Sequence, residues 1–257
     1  GLLAGGVAHD LNNVLSGVVS YPELLLLDLP KDSPLYNPIK VIRDSGLKAA
    51  AIVDDLITVA RGAARKKEVL NLNSLIGEYL KSAEFRSLSS TYPDVHVHVN
   101  LDENLGNISI STVQIRKTLL NLVLNAVESV QGRGNVLISS ENITLTAPLK
   151  GFTEIPPGDY VRLRVSDTGS GISPEDMERV FEPFYSKKVM GRSGTGLGLA
   201  IVWNTVIEHD GHIDVASDTG GTVFDLYFPE TQSLACDSAL RPAIEDFRGN
   251  GEKVLVV

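Results

Sequence analysis

Two amphipathic stretches at the start of the chain limit most strongly what it can fold into. Apolar residues recur at alternating intervals of three and four, first as Ala4, Val7, Leu11, Val14, Val18, Tyr21 and Leu25. The same spacing returns in a second stretch, as Ile39, Ile42, Gly46, Ala49, Val53, Leu56 and Ala60. This is a heptad pattern, and it predicts two helices, the first from the start to about Leu29 and the second to about Ala64.

The residues between the two stretches indicate how the helices are arranged. Residues 30–38 are rich in proline and turn formers, so the helices are expected to form an antiparallel hairpin. A single hairpin cannot bury both of its apolar seams, which favours two chains pairing into a four-helix bundle through residues 1–64. The alternative is an intramolecular bundle in which the hairpin packs on the rest of the chain.

One histidine lies off the apolar seam of the first predicted helix. His9 comes two positions after the seam residue Val7, so it is expected to face solvent. Asn13 follows four residues later and shares the same helix face. A histidine on a helix is usually an ordinary surface residue, and the helix alone does not distinguish that role from a chemical one.

Beyond a basic linker at residues 61–67, the pattern changes to mixed helices and strands. Helices are predicted at residues 73–88, 112–130, 173–180 and 198–209. Strands are predicted at residues 95–101, 108–110, 136–143, 160–167, 212–217 and 222–228. This mixture predicts an α+β sandwich, with one mostly antiparallel sheet and helices on one of its faces.

Composition excludes several classes of protein. A net charge of −9 and a pI near 5.1 argue against a nucleic-acid surface. Every apolar run, residues 24–27 included, is far too short to span a membrane, so no membrane contact is expected within residues 1–257. A membrane-anchored parent protein stays open. The lone Cys236 excludes an internal disulfide and a cysteine metal cluster, and it fits a cytoplasmic protein.

Amide side chains stand out on the helix predicted from Thr112. Asn121, Asn125 and Glu128 share one face of this helix. The opposite face is apolar and carries Ile115, Leu119, Leu122 and Ala126. Amide oxygens are suitable ligands for Mg²⁺, which takes few protein oxygens and completes its shell with phosphates. The alternative is that these asparagines are helix caps or ordinary surface residues.

Two glycine-rich segments follow. At the end of a predicted strand, residues 167–171 place a carboxylate, Asp167, beside glycines that allow close approach to a flat ring. Such a carboxylate can accept a hydrogen bond from an exocyclic amine, although the same pattern is also a common turn. Residues 194–199 open a helix and favour an anion site, but no strand leads into them as a dinucleotide fingerprint requires. Between the two, Lys187 and Lys188 would compensate phosphate charge.

Taken in this order and spacing, the motifs resemble those of sensor histidine kinases over nearly all of residues 1–230. The matching segments are residues 8–13 (phosphoacceptor box), 121–126 (N box), 167–171 (first glycine box), 181–184 (phenylalanine box), 194–199 (second glycine box) and 221–224 (terminal strand motif). The resemblance implies a Bergerat-type ATP-binding fold, shared with gyrase, chaperone and mismatch-repair ATPases.

The resemblance also implies roles for individual residues. It makes His9 the phosphoacceptor, Asp10 its base and orienter, and Asn13 the residue that positions water for dephosphorylation. Asp10 is one methylene shorter than the glutamate that many members carry. The implied cofactors are ATP and Mg²⁺, with Asp167 on the adenine amine and Asn125 on the metal. The other implied nucleotide-binding residues are Asn121 near the phosphates, Gly169 and Gly171 lining the adenine pocket, Gly194, Gly196 and Gly198 at the lid and phosphates, and Lys187, Thr195, Leu197 and Thr222.

These expectations combine into a homodimeric, ATP-dependent protein-histidine kinase of a two-component system. Its partner would be the receiver domain of a response regulator, in the same parent chain or a separate one, which it would phosphorylate on aspartate and also dephosphorylate. The alternatives are a related ATPase that drives conformational change and an inactive scaffold. The histidine-bearing hairpin argues against the ATPase, and the intact Asp167, Asn125 and glycine boxes argue against the scaffold.

The expected domains are a phosphoacceptor hairpin at residues 1–66, an ATP-binding domain at residues 67–230 and a last segment at residues 231–257. The last segment loses all regular pattern until residues 252–257, a charged and then apolar run typical of a buried parallel strand. We interpret it as a linker and the first strand of a truncated receiver domain, so that the parent would be a hybrid kinase. A last strand of the kinase's own sheet is the alternative.

Overall fold

The computed structural model of the chain describes residues 2–61, 67–187 and 195–233. The side chains of residues 2–10, 12 and 59–61 lie outside this description. Two long helices come first and are followed by an α+β unit built on a seven-stranded sheet. The predicted α+β class, with a helical hairpin ahead of a sheet domain, is therefore confirmed.

The two long helices form the hairpin. Helix α1 spans Leu2–Asp28 and α2 spans Tyr36–Arg61, and they pack against each other. Gly46 of α2 is buried at their contact, where a Cβ atom would lie 3.1 Å from methyl groups of Val18 and Val19. The glycine therefore allows the helices to approach closely. The predicted end of the second helix at Ala64 lies outside the described residues.

The sheet combines strands from the whole second part of the chain. Its strands are β1 (Glu68–Asn71), β2 (Val95–Leu101), β3 (Asn107–Ile110), β4 (Gly134–Leu145), β7 (Gly158–Asp167), β8 (His212–Asp218) and β9 (Gly221–Thr231). Their order is β1-β3-β9-β7-β4-β2, and β8 also pairs with β9. Only the β2–β4 pair is parallel among these described strands. A separate small hairpin, β5 (Leu149–Lys150) and β6 (Glu154–Ile155), lies between β4 and β7.

Helices cover one face of the sheet. They are α3 (Leu72–Leu80), α4 (Ala83–Thr91), α5 (Thr112–Ser129) and α7 (Gly198–Glu208), whereas the short helix α6 (Pro174–Met177) has no buried residue. Helix α5 contacts both α3 and α7 and packs on the central strands. Its predicted apolar face forms part of the core, with Ile115 and Leu119 completely buried. The core thus fixes which face of α5, the one with Asn121 and Asn125, is left for a ligand.

The structure corrects the prediction of one helix over residues 73–88. Two helices occupy this region: α3 ends at Leu80 with Lys81 as its C-cap, and Ser82 caps α4 by accepting a hydrogen bond from the backbone N–H of Phe85 at 3.1 Å. The predicted helix at residues 173–180 is also too long, since α6 ends at Met177 and turns follow it. The short strands β1, β5 and β6 were not predicted.

The hairpin contacts the sheet domain through α2. Helix α2 packs against α7, and Lys117 of α5 forms ion pairs with Asp54 at 2.9 Å and Asp55 at 2.7 Å. Burial lowers the pKa of Lys117, but hydrogen bonds to the two aspartates outweigh it and raise the pKa overall. Among the described residues, no helix combines the length and apolar character needed to cross a bilayer.

Candidate nucleotide-binding site

A cleft of about 520 Å³ opens between α5, the end of β7 and the start of α7. This volume is typical of a small-molecule site. Residues from the separate predicted motifs meet here, namely Asn121, Asn125, Asp167, Gly171, Lys187, Thr195, Gly196, Gly198 and Thr222. The fold therefore brings segments far apart in sequence to one cavity.

Asp167 is the buried acidic group of the cleft. It is the last residue of β7 and is only 9% exposed. Its Oδ1 accepts hydrogen bonds from the hydroxyl of Ser129 at 2.7 Å and from the backbone N–H of Gly169 at 2.8 Å. Burial raises the pKa of Asp167, and these hydrogen bonds, with one from the Thr222 backbone, oppose that rise. The result is a buried carboxylate acceptor whose orientation is fixed by neighbouring donors.

Asn121 and Asn125 lie one turn apart on the cleft side of α5. The side-chain Nδ2 of Asn121 is buried and has no hydrogen-bond partner among the described residues. A buried amide without a partner is costly, so this atom suits a ligand that brings an acceptor oxygen. No group of three or more His, Cys, Asp or Glu side chains within the described ranges could hold a metal ion. A divalent cation here would depend on the Asn125 oxygen together with phosphate oxygens, which is the pattern that Mg²⁺ prefers.

Glycines shape the walls of the cleft. Gly171 has φ +74°, and a Cβ there would lie 1.8 Å from the carbonyl oxygen of Asp218. Gly196 has φ +71°, and its Cβ would meet the backbone of Phe184 at 2.5 Å. The Phe184 N–H donates to the Gly196 carbonyl at 2.9 Å, which ties the phenylalanine box to the second glycine box. Side chains at these two glycines are excluded by both space and backbone conformation.

A charged and aromatic cluster lies at the mouth of the cleft. Asp176 accepts from the Tyr185 hydroxyl and from Ser173 Oγ, and it pairs with the ammonium of Lys187 at 2.5 Å. These contacts, that from Lys187 foremost, lower the pKa of Asp176 to about 2. The guanidinium of Arg179 lies 4.1 Å over the Tyr185 ring. Lys187 therefore lies at the mouth of the cleft, where its ammonium group is paired with the Asp176 carboxylate.

Aromatic packing supports the segment beside this cluster. The ring of Phe181 lies 5.1 Å from both Phe152 and Trp203, measured between centroids, and 6.5 Å from Phe224. Phe152 comes from the turn between β5 and β6, so this small hairpin reaches the phenylalanine box. Sequence reasoning missed Phe152, because nothing in its local pattern links it to Phe181.

Three predicted nucleotide-binding residues are not placed among the cleft lining. Gly169 lies behind Asp167, against Ser129. Leu197 is completely buried at the start of α7, where it belongs to the core. Gly194 lies outside the described residues.

The cleft also contains residues that the sequence analysis missed. Ser129 follows Asn125 by one helical turn, so continuing the spacing of the asparagines could have found it. Asp176 and Tyr185 come from the segment around α6, and Asp55 comes from α2. No local pattern predicts that Asp55, from the hairpin, lines a cleft of the sheet domain.

The predicted phosphoacceptor residues lie on α1. The backbones of His9 and Asp10 are helical, and their side chains lie outside the described part of the structure. Asn13 is exposed. The described residues that line the cleft come from α2 and the sheet domain, not from α1.

Comparisons with known proteins agree with this geometry. Residues 110–232 match the family model of histidine kinase-, DNA gyrase B- and HSP90-like ATPases. Sensor kinase CckA of Brucella abortus (strain 2308) is 31% identical over 233 residues, covering 89% of this chain and 24% of CckA. Sensor histidine kinase ZraS of Salmonella typhi is 29% identical over 230 residues, covering 89% of this chain and 45% of ZraS.

A solved structure extends the likeness to the fold. Full-length ShkA in complex with AMPPNP superposes with a TM-score of 0.72 at 24% identity, covering 91% of this chain and 46% of ShkA. The chain thus spans from about a quarter to about half the length of these relatives. The likeness covers the hairpin as well as the ATPase domain, so the chain is similar to the transmitter core of sensor histidine kinases.

Proposed function

We propose that this chain is an ATP-dependent protein-histidine kinase that phosphorylates His9 and passes the phosphate to an aspartate of a receiver domain. The observation that carries the proposal is the cleft in which Asp167, Asn121 and the glycine-bearing start of α7 converge, where the Asn121 Nδ2 has no partner in the described part of the chain. The helix that bears His9 precedes it in the same chain. A site of this kind has the parts for binding a nucleotide, and the hairpin supplies an acceptor for its phosphate.

The cleft residues have separate tasks in holding ATP. Asp167 accepts from the exocyclic amine of adenine, and Asn121 Nδ2 donates to a phosphate oxygen. Backbone N–H groups at the N-terminus of α7, from Gly198 onward, favour phosphate charge. Lys187 adds a positive charge at the cleft mouth. The bound AMPPNP of ShkA, an ATP-like molecule, supports this assignment of ligand class.

The proposed reaction is a phosphoryl transfer from ATP to a ring nitrogen. The neutral imidazole of His9 attacks the γ-phosphorus, forming an N–P bond while the P–O bond to ADP breaks and its electron pair leaves with ADP. The proton on the other ring nitrogen is accepted by Asp10. Imidazole titrates near pH ~6.5, so its nucleophilic neutral form is abundant at neutral pH. Mg²⁺, held by Asn125, would neutralise phosphate charge during the transfer.

Exposed apolar residues on the hairpin support assembly as a dimer. The seam residues that the structure describes on α1 are at least two-fifths exposed, namely Leu11, Val14, Val18, Tyr21 and Leu25. A contiguous apolar stripe in water is a typical interaction surface. We therefore propose that residues 1–64 pair with a second copy in a four-helix bundle. Packing of the hairpin on its own sheet domain leaves this stripe uncovered.

The remaining parts of the proposal concern domains, receiver and location. The hairpin at residues 1–66 and the ATP-binding domain at residues 67–230 would act as separate units. The predicted receiver strand at residues 252–257 lies outside the described residues and stays a prediction. The lone cysteine and the requirement for ATP support a cytoplasmic location.

The phosphatase role rests on Asn13. It is exposed one turn after His9, so both residues would face a receiver docked on α1. We expect Asn13→Ala to slow dephosphorylation of the receiver while autophosphorylation continues. The lifetime of receiver phosphate measures this, and equal lifetimes with the wild type and the variant would remove the role.

Incubation of the purified chain with γ-labelled ATP and Mg²⁺ tests the kinase itself. We expect protein-bound label that is labile in acid and stable in alkali, as an N–P bond requires. ADP release without label on the protein would favour the alternative of a conformational ATPase. Neither label nor ADP release would favour the inactive scaffold.

A further inference from the structure

The carboxylate of Asp167 is oriented by donors that converge on one of its oxygens. Ser129 Oγ lies 2.7 Å from Oδ1, and the Gly169 N–H donates to the same atom at 2.8 Å. Two donors on one oxygen fix the plane of the carboxylate. The protein therefore sets the direction in which the carboxylate can accept further hydrogen bonds before a ligand binds.

Ser129 is itself held in place. It is the last residue of α5, and its hydroxyl also lies 2.8 Å from the carbonyl oxygen of Ala126. The single hydroxyl proton is shared between these two acceptors, of which the carboxylate is the stronger because it is charged. Ser129 is therefore preorganised by its own helix to meet Asp167.

Gly169 makes room for this hydrogen bond. A Cβ atom at Gly169 would lie 2.1 Å from Ser129 Oγ and 2.7 Å from Asp167 Oδ1. Any side chain at residue 169 would therefore displace the hydroxyl or the carboxylate. This explains why a glycine outside the cleft lining sits in the first glycine box.

The protonation of Asp167 decides what kind of base it can bind. An ionised carboxylate only accepts hydrogen bonds, whereas a protonated one also donates. Burial raises the pKa of Asp167, and the hydrogen bonds from Ser129, Gly169 and Thr222 lower it. Loss of the Ser129 donor shifts this balance towards the protonated form and frees the carboxylate to rotate.

We propose that Ser129 is a positioning residue for base recognition, which makes the cleft select a purine with an amino group at C6 over one with a carbonyl. The proposal rests on the proposed function, since it assumes that the cleft binds a nucleotide. Asp167 contacts the base, and Ser129 acts through Asp167. A carbonyl at C6 offers no proton to an ionised carboxylate, and the N–H of such a purine lies at N1 instead, so the fixed orientation of Asp167 disfavours it.

Calorimetric titration of the full chain with ADP and IDP tests this proposal without any turnover. The two nucleotides differ at C6, where ADP carries an amine and IDP a carbonyl, and at the adjacent N1, which is an acceptor in ADP and an N–H donor in IDP. We expect the wild type to prefer ADP and Ser129→Ala to lose about tenfold in ADP affinity, the loss typical of a hydrogen bond to a charged group. The affinity for IDP is expected to change less, so the ratio of ADP affinity to IDP affinity becomes smaller in the variant.

A matched pair of variants separates the hydroxyl from side-chain shape. Ser129→Thr keeps the hydroxyl. Ser129→Val has the same shape as the Thr variant, with a methyl group in place of the hydroxyl. We expect Thr to retain the preference for ADP and Val to lose it. Ser89→Ala is a control, because Ser89 makes a similar bond to its own helix, to Phe85 O at 3.0 Å, at an exposed site on α4.

The outcomes distinguish this proposal from the function on which it rests. A wild type that binds neither nucleotide would overturn the proposed function and the role of Ser129 with it. A wild type that prefers ADP, together with Ala and Val variants that prefer it equally, would overturn the role of Ser129 alone. Equal loss of ADP and IDP affinity in the Val variant would also overturn it, since that indicates a structural effect.

Discussion

The hairpin and the sheet domain use their apolar residues in opposite ways. In the sheet domain, Leu119, Leu163 and Phe228 are completely buried by other parts of the same chain. On the hairpin, Leu25 is 51% exposed and Tyr21 is 71% exposed. A regular apolar pattern in the sequence therefore leads to burial only where the chain supplies a partner surface. The sheet domain buries its apolar residues within one copy, whereas the described seam of α1 stays exposed, as the proposed dimer requires.

The sharpest test of this comparison is the same substitution in both regions. Leu163→Ala creates a cavity in the sheet core, and we expect it to lower the free energy of unfolding by about 2–5 kcal/mol. Leu25→Ala is expected to leave unfolding of the sheet domain unchanged and to weaken dimerisation. Urea denaturation followed by tryptophan fluorescence reports the sheet domain, because Trp203, the only tryptophan of the chain, lies on α7.

Sedimentation of the same two variants reports the hairpin. We expect the wild type to be a dimer, Leu163→Ala to stay dimeric while it remains folded, and Leu25→Ala to dissociate at a higher concentration. A wild type that sediments as a monomer at high micromolar concentration would contradict the assigned role of the exposed stripe. So would a Leu25→Ala variant that dimerises as strongly as the wild type.

A smaller effect is expected from a buried histidine that belongs to the sheet domain alone. His209 is 4% exposed, and its ring nitrogens join α7 to α5. Nδ1 donates to the carbonyl oxygen of Thr205 at 2.6 Å, and Nε2 accepts from the N–H of Ser111 at 2.8 Å. Only the neutral ring can satisfy both contacts. Burial lowers the pKa of His209 below its ordinary value of 6.5, although the bond to Thr205 opposes this.

The sign of the pH dependence follows from this lowered pKa. Below the ordinary pKa the unfolded chain takes up a proton that the folded form does not, so stability is complete above about pH 6.5 and is lost as pH falls further. We expect the urea concentration at the unfolding midpoint to decrease as pH is lowered from about 7.5 to about 5.5. The decrease is expected to be smaller in His209→Gln. His212, whose pKa is also lowered by burial, contributes a remaining slope. Identical slopes in the wild type and His209→Gln would exclude the role of His209.

The smallest effect on stability is expected at the contact between the two regions. Lys117 pairs with Asp54 and Asp55 of α2, while its neighbour Arg116 pairs with Glu78 inside the sheet domain at 2.6 Å. We expect both Lys117→Ala and Arg116→Ala to change the free energy of unfolding by less than about 1 kcal/mol. Only Lys117→Ala is expected to loosen the hairpin from the sheet domain.

Small-angle scattering separates the two variants. We expect a larger radius of gyration for Lys117→Ala than for Arg116→Ala, measured at one concentration so that the degree of dimerisation is matched. Equal radii would show that the ion pairs with α2 do not hold the two regions together.

The comparison also shows what the sequence could predict. Long periodic segments such as α1, α2 and α5 were predicted well, because their spacing alone identifies a helix and its apolar face. Boundaries set by one residue were missed, as at Ser82, where a cap divides the predicted helix in two. Strand β1 has only four residues, which is too short for a periodic pattern.

The site shows the same division between local and distant information. Asp167 and the glycines of the cleft come from local motifs that the sequence displays. Ser129 lies on the same face of α5 as Asn121 and Asn125, but a serine there is too common to indicate a site. Asp55 and Phe152 reach the site or its support only through tertiary packing, so no local pattern reveals them. Leu197, inside a motif, is instead a core residue.

The most direct test compares one variant in each region by two measurements, the label incorporated into the protein and its affinity for ADP. With γ-labelled ATP and Mg²⁺, we expect His9→Gln to acquire no acid-labile label and to bind ADP as the wild type does. Asp167→Asn is expected to lose about 10- to 100-fold in ADP affinity, because an oriented charged acceptor is replaced by an amide, and to be labelled only weakly. Acid-labile label on His9→Gln, or unchanged ADP affinity in Asp167→Asn, would contradict the division between a phosphoacceptor hairpin and a nucleotide-binding sheet domain.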